Sequence, residues 1–281
     1  MRLAMLVKQP EITEEVIAKI EKWNEALAAS DDVHIPWVTV KQVNKIGRRH
    51  LHKCPKQKRK VHLLSDGERR AYKILMWRPE TIQIDEQVPL DLNETLRIAE
   101  ELGYIHPRNW ETNTAHVMSS DLVAHTVNFS TGEVTKSTYS FKYSDQIWVV
   151  DEDGCQQEKH YRVWQKLHIE QVYSEENVGN YSVITEQDAT KELAWNIDWF
   201  TTEANAIVSD SEKLEFIEIF QDFWVGNPFS SLKKHILNTG KVMSLDFKRS
   251  QTIFKHVALH RVLKLDLSQK LFLCRPVELL K

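Results

Sequence analysis

Cysteine is scarce. Cys54, Cys155 and Cys274 are the only three in 281 residues and lie far apart, which leaves no disulfide framework and no Cys-x-x-Cys pair for zinc, and points to a reducing compartment. Glycine is sparse as well: its eight residues are too dispersed to form a phosphate-cradling loop, so neither ATP nor a dinucleotide is implied. No apolar run approaches membrane-spanning length. Met1–Val7 is apolar, but Lys8-Gln9-Pro10-Glu11 follows at once, too soon for a secretory core, and no cleavage-like site is present. The histidines, His50, His52 and His62 among them, are read as surface or DNA-proximal residues with no i, i+4 ligand pair on a helix.

What is present is an ordinary globular balance. A hydrophobic fraction of 42% beside 27% charged residues predicts a real core, and the length suits two domains. A net charge of -3 argues against a chain coated all over in nucleic acid, yet charge is clustered. Between Lys45 and Lys60 stand Arg48, Arg49, Lys53, Lys56, Lys58 and Arg59 with no acid among them. That stretch reads either as a phosphate contact or as a solvated basic loop.

Periodicity supplies the elements. Val16, Ile17, Ile20, Trp23 and Leu27 predict an amphipathic helix over 11–29, and Ile35–Val40 and Arg59–Leu64 read as extended. Ser65-Asp66-Gly67-Glu68 is a capping box that opens a second helix. Strands follow over 81–88, 116–126 and 138–143, the last two joined by a turn at Ser130–Glu133, with a helix over 93–102 between the first two. A long helix from about Gln156 to Ser174 and a strand at Tyr181–Thr185 complete an α/β layer with a mixed sheet flanked by helices. Beyond Glu186 the chain turns helical and aromatic, then basic. A helix over 250–260 precedes two apolar alternations, Val262–Leu267 and Leu271–Leu273, which together predict a winged-helix-like α+β domain. The expected domains are therefore 1–186 and 187–281.

Three side chains carry chemistry. Phosphodiester hydrolysis needs acids to hold hard divalent cations and a cation beside the attacking water or the developing phosphorane charge. Glu68 at a helix start, Asp121 in an apolar strand pattern and Lys142 two residues after Ser140 supply those groups at restriction-endonuclease spacing. Capping alone also accounts for Glu68. An acid such as Asp121 within a strand is costly unless paired or bound to a cation, and alternation puts Ser140 and Lys142 on one face. Glu170, on the next helix, reads either as a further acid or as part of a solvated face.

The blocks Ile35–Val40, Gly47-Arg48, His62–Glu68, Asp85–Leu90, Gly103–Pro107 and Val117–Asp121, in that order, resemble TnsA, the endonuclease subunit of heteromeric cut-and-paste transposases. The resemblance implies a restriction-endonuclease-like N-terminal domain that cuts the 5′ ends of a transposon. It implies a DDE-type recombinase partner, TnsB, that cuts and joins the 3′ ends, and a winged-helix-like C-terminal domain that contacts the AAA+ regulator TnsC. It further implies catalytic Glu68, Asp121 and Lys142, with Glu170 as a further acid. Mg²⁺, or Mn²⁺ in its place, is expected on Glu68, Asp121, Ser140 and the carbonyl of Phe141, in a bacterial cytoplasm. Ser140 stands where the family often has Gln, a departure that keeps open a non-catalytic adaptor bridging recombinase and regulator.

Overall fold

A computed structural model describes residues 8–31, 33–43, 47–150, 153 and 155–280; Met1–Val7 and Lys45 lie outside the described residues. In chain order the elements are α1 (Glu14–Ala28), β1 (His50–Cys54), β2 (Arg59–Leu63), α2 (Asp66–Met76), β3 (Thr81–Pro89), α3 (Leu92–Glu101), β4 (Ser119–Val127), β5 (Val134–Phe141), α4 (Ser144–Ile147), β6 (Trp148–Val150), β7 (Gln156–Glu158), α5 (Tyr161–Asn177), β8 (Asn180–Ile184), α6 (Lys191–Thr201), α7 (Asp210–Gly226), α8 (Leu232–Val242) and α9 (Phe247–Leu259). The chain divides into two compact units: Met1–His52, Val61–Tyr72 and Ile82–Asp188 make one, and Lys53–Lys60, Lys73–Thr81 and Ala189–Lys281 the other.

The first unit is a mixed sheet flanked by helices, an α/β arrangement compatible with a restriction-endonuclease-like fold. Its strand order is β3-β4-β5-β8. β4 and β5 run antiparallel with Leu122 opposite Tyr139, and β5 and β8 run parallel with Ser140 opposite Val183 and Phe141 opposite Ile184. Parallel pairing needs a crossover, which the segment holding α5 provides. Leu122, Val123 and Ala124 are consecutive and all buried, as in a strand covered on both faces. Leu90, Ile98, Ala99, Met118 and Ile169 form a core cluster to which α3, α5 and the strand ends contribute, and Tyr104, Val172 and Tyr173 pack on it.

One reading of the sequence is corrected in this unit, and one residue of the basic stretch is accounted for. Ile35–Val40 forms no strand: Pro36 has no N–H to give to a ladder, and the segment makes point contacts instead, with Trp37 N–H donating to the Gln87 carbonyl at 2.8 Å and Val40 N–H to His62 Nδ1 at 3.2 Å. In the basic stretch, the Arg49 Nη1 donates to the carbonyls of Val40 (2.7 Å) and Val43 (2.5 Å), so this guanidinium is committed to its own loop.

The second unit packs α6 to α9 around Phe200, Phe216, Phe220 and Phe254, all at most 1% exposed, with the Phe220 and Phe254 rings 5.5 Å apart. Lys56, from the basic stretch, donates to the carbonyls of Met76 and Thr81 and serves as a structural cap. The expected hairpin of Val262–Leu267 with Leu271–Leu273 does not form. Leu265 pairs with Leu279, and the carbonyls of Leu273 and Arg275 accept the N–H groups of Lys233 and Leu232 at 2.8 Å each. The first turn of α8 leaves N–H groups without intrahelical partners, and the segment read as a wing strand is drawn off to satisfy them. Asn196 fixes the intervening loop by accepting from Leu271 N–H at 2.9 Å and donating to the Gln269 carbonyl at 2.9 Å. His256, 8% exposed, and His106, fully buried, depart from the surface reading of the histidines; His256 stands four residues before His260 with rings 4.5 Å apart, and burial pushes both of these imidazoles down, His260 to about 4.

Candidate active site

The site begins with a helix start pressed against a strand. Ser65 Oγ accepts the Glu68 N–H at 3.0 Å, and Glu68 Oε2 reaches back to accept the Leu64 N–H at 2.9 Å. Glu68 thus performs its capping role with one oxygen, and the residue is 8% exposed. Gly67 explains how the helix comes so close. A Cβ at that position would lie 1.8 Å from Cε1 of Phe141, so the aromatic ring occupies the space a side chain would take. Arg70, one turn on, has its guanidinium carbon 5.9 Å from the rings of both Phe141 and Tyr143.

Strands β4 and β5 bring the next groups together. Asp121 Oδ2 accepts the Phe141 N–H at 2.8 Å, which turns a side chain into a rung between the strands. Lys142 Nζ donates to the Phe141 carbonyl at 2.9 Å and lies 3.7 Å from Asp121 Oδ2. The Lys142 N–H in turn donates to the Ile184 carbonyl of β8 at 3.0 Å. Asp121 and Lys142 therefore face each other across Phe141, with side chains 18% and 24% exposed, in reach of solvent and of a bound substrate.

Glu170 is not on a solvated face. It is 2% exposed, and both its oxygens are engaged: Oε1 accepts from Ser140 Oγ at 2.7 Å and Oε2 from the Tyr181 hydroxyl at 3.4 Å. Ser140, itself 1% exposed, gives its proton to Glu170 and keeps oxygen lone pairs.

The electrostatics tie the four groups into one site. Burial, then the Asp121 charge, push the Glu68 carboxyl up to about 8. The same two causes raise Glu170. Burial alone works to lower Lys142, but Asp121, Glu170 and Glu68 together outweigh it and hold the ammonium above its ordinary value. Three acids, Glu68, Asp121 and Glu170, thus surround the Lys142 amine. Among the described residues no three His, Cys, Asp or Glu side chains converge as a ready-made metal cage; the hard oxygens here are two carboxylates and a backbone carbonyl, a donor set that suits a small divalent cation completed by water or phosphate.

One residue of this site escaped the sequence reading. Gln87, 3% exposed, has φ +50° inside β3, and from that left-handed position its Nε2 donates to Glu68 Oε2 at 3.3 Å while its Oε1 accepts from Ser119 Oγ at 3.1 Å. A non-glycine residue with positive φ is uncommon, and strain of this kind collects at working sites. The sequence signal was only a Gln in a polar-apolar alternation.

No family model matches the chain. It is 29% identical over 166 residues to the transposon Tn7 transposition protein TnsA of Escherichia coli, across 59% of this chain and 55% of that protein. The chain spans about half the length of the curated relative it matches. At that distance the likeness is to TnsA-like proteins in general.

Proposed function

We propose that this chain is the metal-dependent DNA endonuclease subunit of a heteromeric transposase and that it cleaves the 5′ ends of a transposon. The single observation that carries the reading is the meeting of Asp121, Lys142 and the Phe141 carbonyl, with Glu68 in electrostatic reach, beside buried Glu170. The likeness to a transposition protein supplies the biological setting. Glu68, Asp121 and the Phe141 carbonyl would hold Mg²⁺ or Mn²⁺, with the Ser140 oxygen joining directly or through water. Burial, and after it the neighbouring Asp121 charge, raise Glu68, and a cation between the two acids would offset both. When bound, such a cation supplies Lewis-acid stabilisation of charge on phosphoryl oxygen.

The protein's own groups do the rest. Lys142, beside Asp121 and the Phe141 carbonyl, orients or deprotonates the attacking water and offsets charge on the phosphorane. Asp121, locked to the Phe141 amide, keeps the strand end and the Lys142 amine in register. Glu170 and Tyr181 hold Ser140 in place behind them. The products expected are a 3′-hydroxyl and a 5′-phosphate.

The proposed partners are transposon-end DNA, a DDE-type recombinase of the TnsB kind and an AAA+ regulator of the TnsC kind, in a bacterial cytoplasm. No helix among the described residues is long and apolar enough to cross a membrane. We retain a winged-helix-like role for the second unit, supported by the short connection Met243–Asp246 between α8 and α9 and by the antiparallel Leu265–Leu279 pairing that follows them in the chain.

The test is cleavage of an end-bearing DNA by the chain reconstituted with recombinase and regulator. With Mg²⁺ or Mn²⁺ present, Asp121→Ala and Lys142→Ala should each lower 5′-strand nicking on the order of 10²–10³-fold and leave 3′-end joining intact. Undiminished 5′ cleavage by Asp121→Ala rejects the assignment. The adaptor reading draws on Ser140 and its commitment to Glu170; it predicts no 5′ cleavage by the unaltered chain in either metal, with 3′ joining still dependent on the chain's presence.

A further inference from the structure

A basic, aromatic hollow on the first unit has no part in the site described so far. A cavity of about 230 Å³ is lined by Arg108, Trp110 and His116 from the segment between α3 and β4 and by Arg162, Gln165 and Lys166 from α5, with no acid among its described lining residues. Trp110 is 67% exposed, an unusual placement for the largest side chain. The Arg108 guanidinium lies 4.3 Å from its ring centre and that of Arg162 5.2 Å. The loop that presents it is firmly built. Asn109 N–H donates to the Thr114 carbonyl at 2.9 Å, Asn109 Oδ1 accepts the Glu111 N–H at 2.9 Å, and Arg108 pairs with Ala115. The Arg108 guanidinium is held in place by donating from Nη1 to Asn113 Oδ1.

Position links the hollow to chemistry. Lys166 precedes Glu170 by four residues on α5, which sets the two on one helix face a single turn apart, and the Lys166 charge is felt at Glu170. A fixed, exposed indole flanked by guanidinium planes is a platform for an unpaired base, and three cations beside it suit a phosphodiester. Bases inside a duplex offer no free face to such a ring. An acidic peptide would use the cations but leave the indole without a role.

We propose that this hollow holds an unpaired nucleotide of the DNA strand next to the scissile position, its base stacked against the Trp110–guanidinium array and its phosphate held by Arg108, Arg162 and Lys166. The proposal deepens the endonuclease reading and rests on it for the identity of the strand. The full chain is titrated, by fluorescence anisotropy, into a labelled oligothymidine single strand, a blunt duplex and a labelled polyglutamate. Trp110→Ala should weaken single-strand binding by about 5- to 150-fold, the span that one stacked base contributes, with little change on the duplex. Trp110→Phe should retain most of the affinity, and Arg162→Ala should lower the salt slope by about 0.7. Unchanged single-strand affinity in Trp110→Ala, an equal loss on both DNAs, or tighter binding of polyglutamate than of either DNA each overturns the site. The two readings fail separately. Trp110-dependent binding by a chain that never cuts DNA sinks the nuclease and keeps the hollow, whereas cleavage with Trp110-independent binding does the reverse.

Discussion

Glu68 makes the sharpest single-residue prediction because its environment opposes its charge. Its ordinary value is 4.5 and burial beside Asp121 takes it to about 8, so between those limits the native state binds a proton that the unfolded chain has released. Stability of the metal-free chain therefore falls as pH rises through that window, by about 1.4 kcal/mol for each unit by which native and unfolded values differ, as an upper bound. His106 and His260 act in the opposite sense: burial pulls both down to about 4, so they add stability as pH rises from there towards 6.5. The diagnostic range is thus from 6.5 to about 8. In chelator, the melting temperature of the unaltered chain should decline across that range and Glu68→Gln should flatten the decline; parallel curves would disprove the coupling. At this scale the sequence disclosed residue type better than surroundings. An Asp in an apolar strand pattern and a Lys two positions past a Ser announce a need for partners, whereas Gln87 depends on a left-handed backbone that its neighbours in sequence do not betray. Glu170 stayed ambiguous because helical spacing does not say which face is dry, and the answer lay in Ser140 and Tyr181, distant in sequence.

For the elements, the closest approach in the site is that of α2 to β5 through Gly67. Gly67→Ala forces a methyl into the Phe141 ring, and overpacking of this kind costs about 1–3 kcal/mol. Denaturant unfolding should show that loss, and 5′ nicking should drop with it because Phe141 carries the carbonyl and amide used by Lys142 and Asp121. Adding Phe141→Leu, which makes room, should return part of the stability; wild-type stability in Gly67→Ala alone would contradict the contact. Elements with strong periodicity and caps were legible. The Ser65 cap, the alternation of β3 and the buried run of β4 gave themselves away. α8 did not, since Asn238-Thr239-Gly240 has the composition of a turn. Gly240 is nevertheless helical, and its bare Cα lets Ser250 of α9 approach to where a Cβ would be 2.1 Å from the hydroxyl. The wing misled for a different reason: Leu271–Leu273 alternates like a strand, but the unsatisfied first turn of α8 competes for its carbonyls.

Across the whole molecule, a boundary after Glu186 follows from a change in composition, and the compact units divide at Asp188. The same unit that begins at Ala189 also takes in Lys53–Lys60 and Lys73–Thr81. Nothing in a linear pattern marks those two segments, because membership is decided by tertiary packing such as the Lys73–Asp198 ion pair and the Lys56 cap on the end of α2. The parallel pairing of β5 with β8 carries a consequence in time. The β4–β5 hairpin closes over a short turn, whereas β8 must wait for all of α5 to form and cross the sheet, and such non-local pairing is slow. Until it docks, the Lys142 amide has no Ile184 carbonyl and Glu170 no Tyr181 hydroxyl. In pulse-labelled hydrogen exchange during refolding, hairpin amides should gain protection before that of Lys142, and simultaneous protection would refute the order. The surroundings of Lys142 and Glu170 are thereby completed only when the last strand of this sheet has arrived.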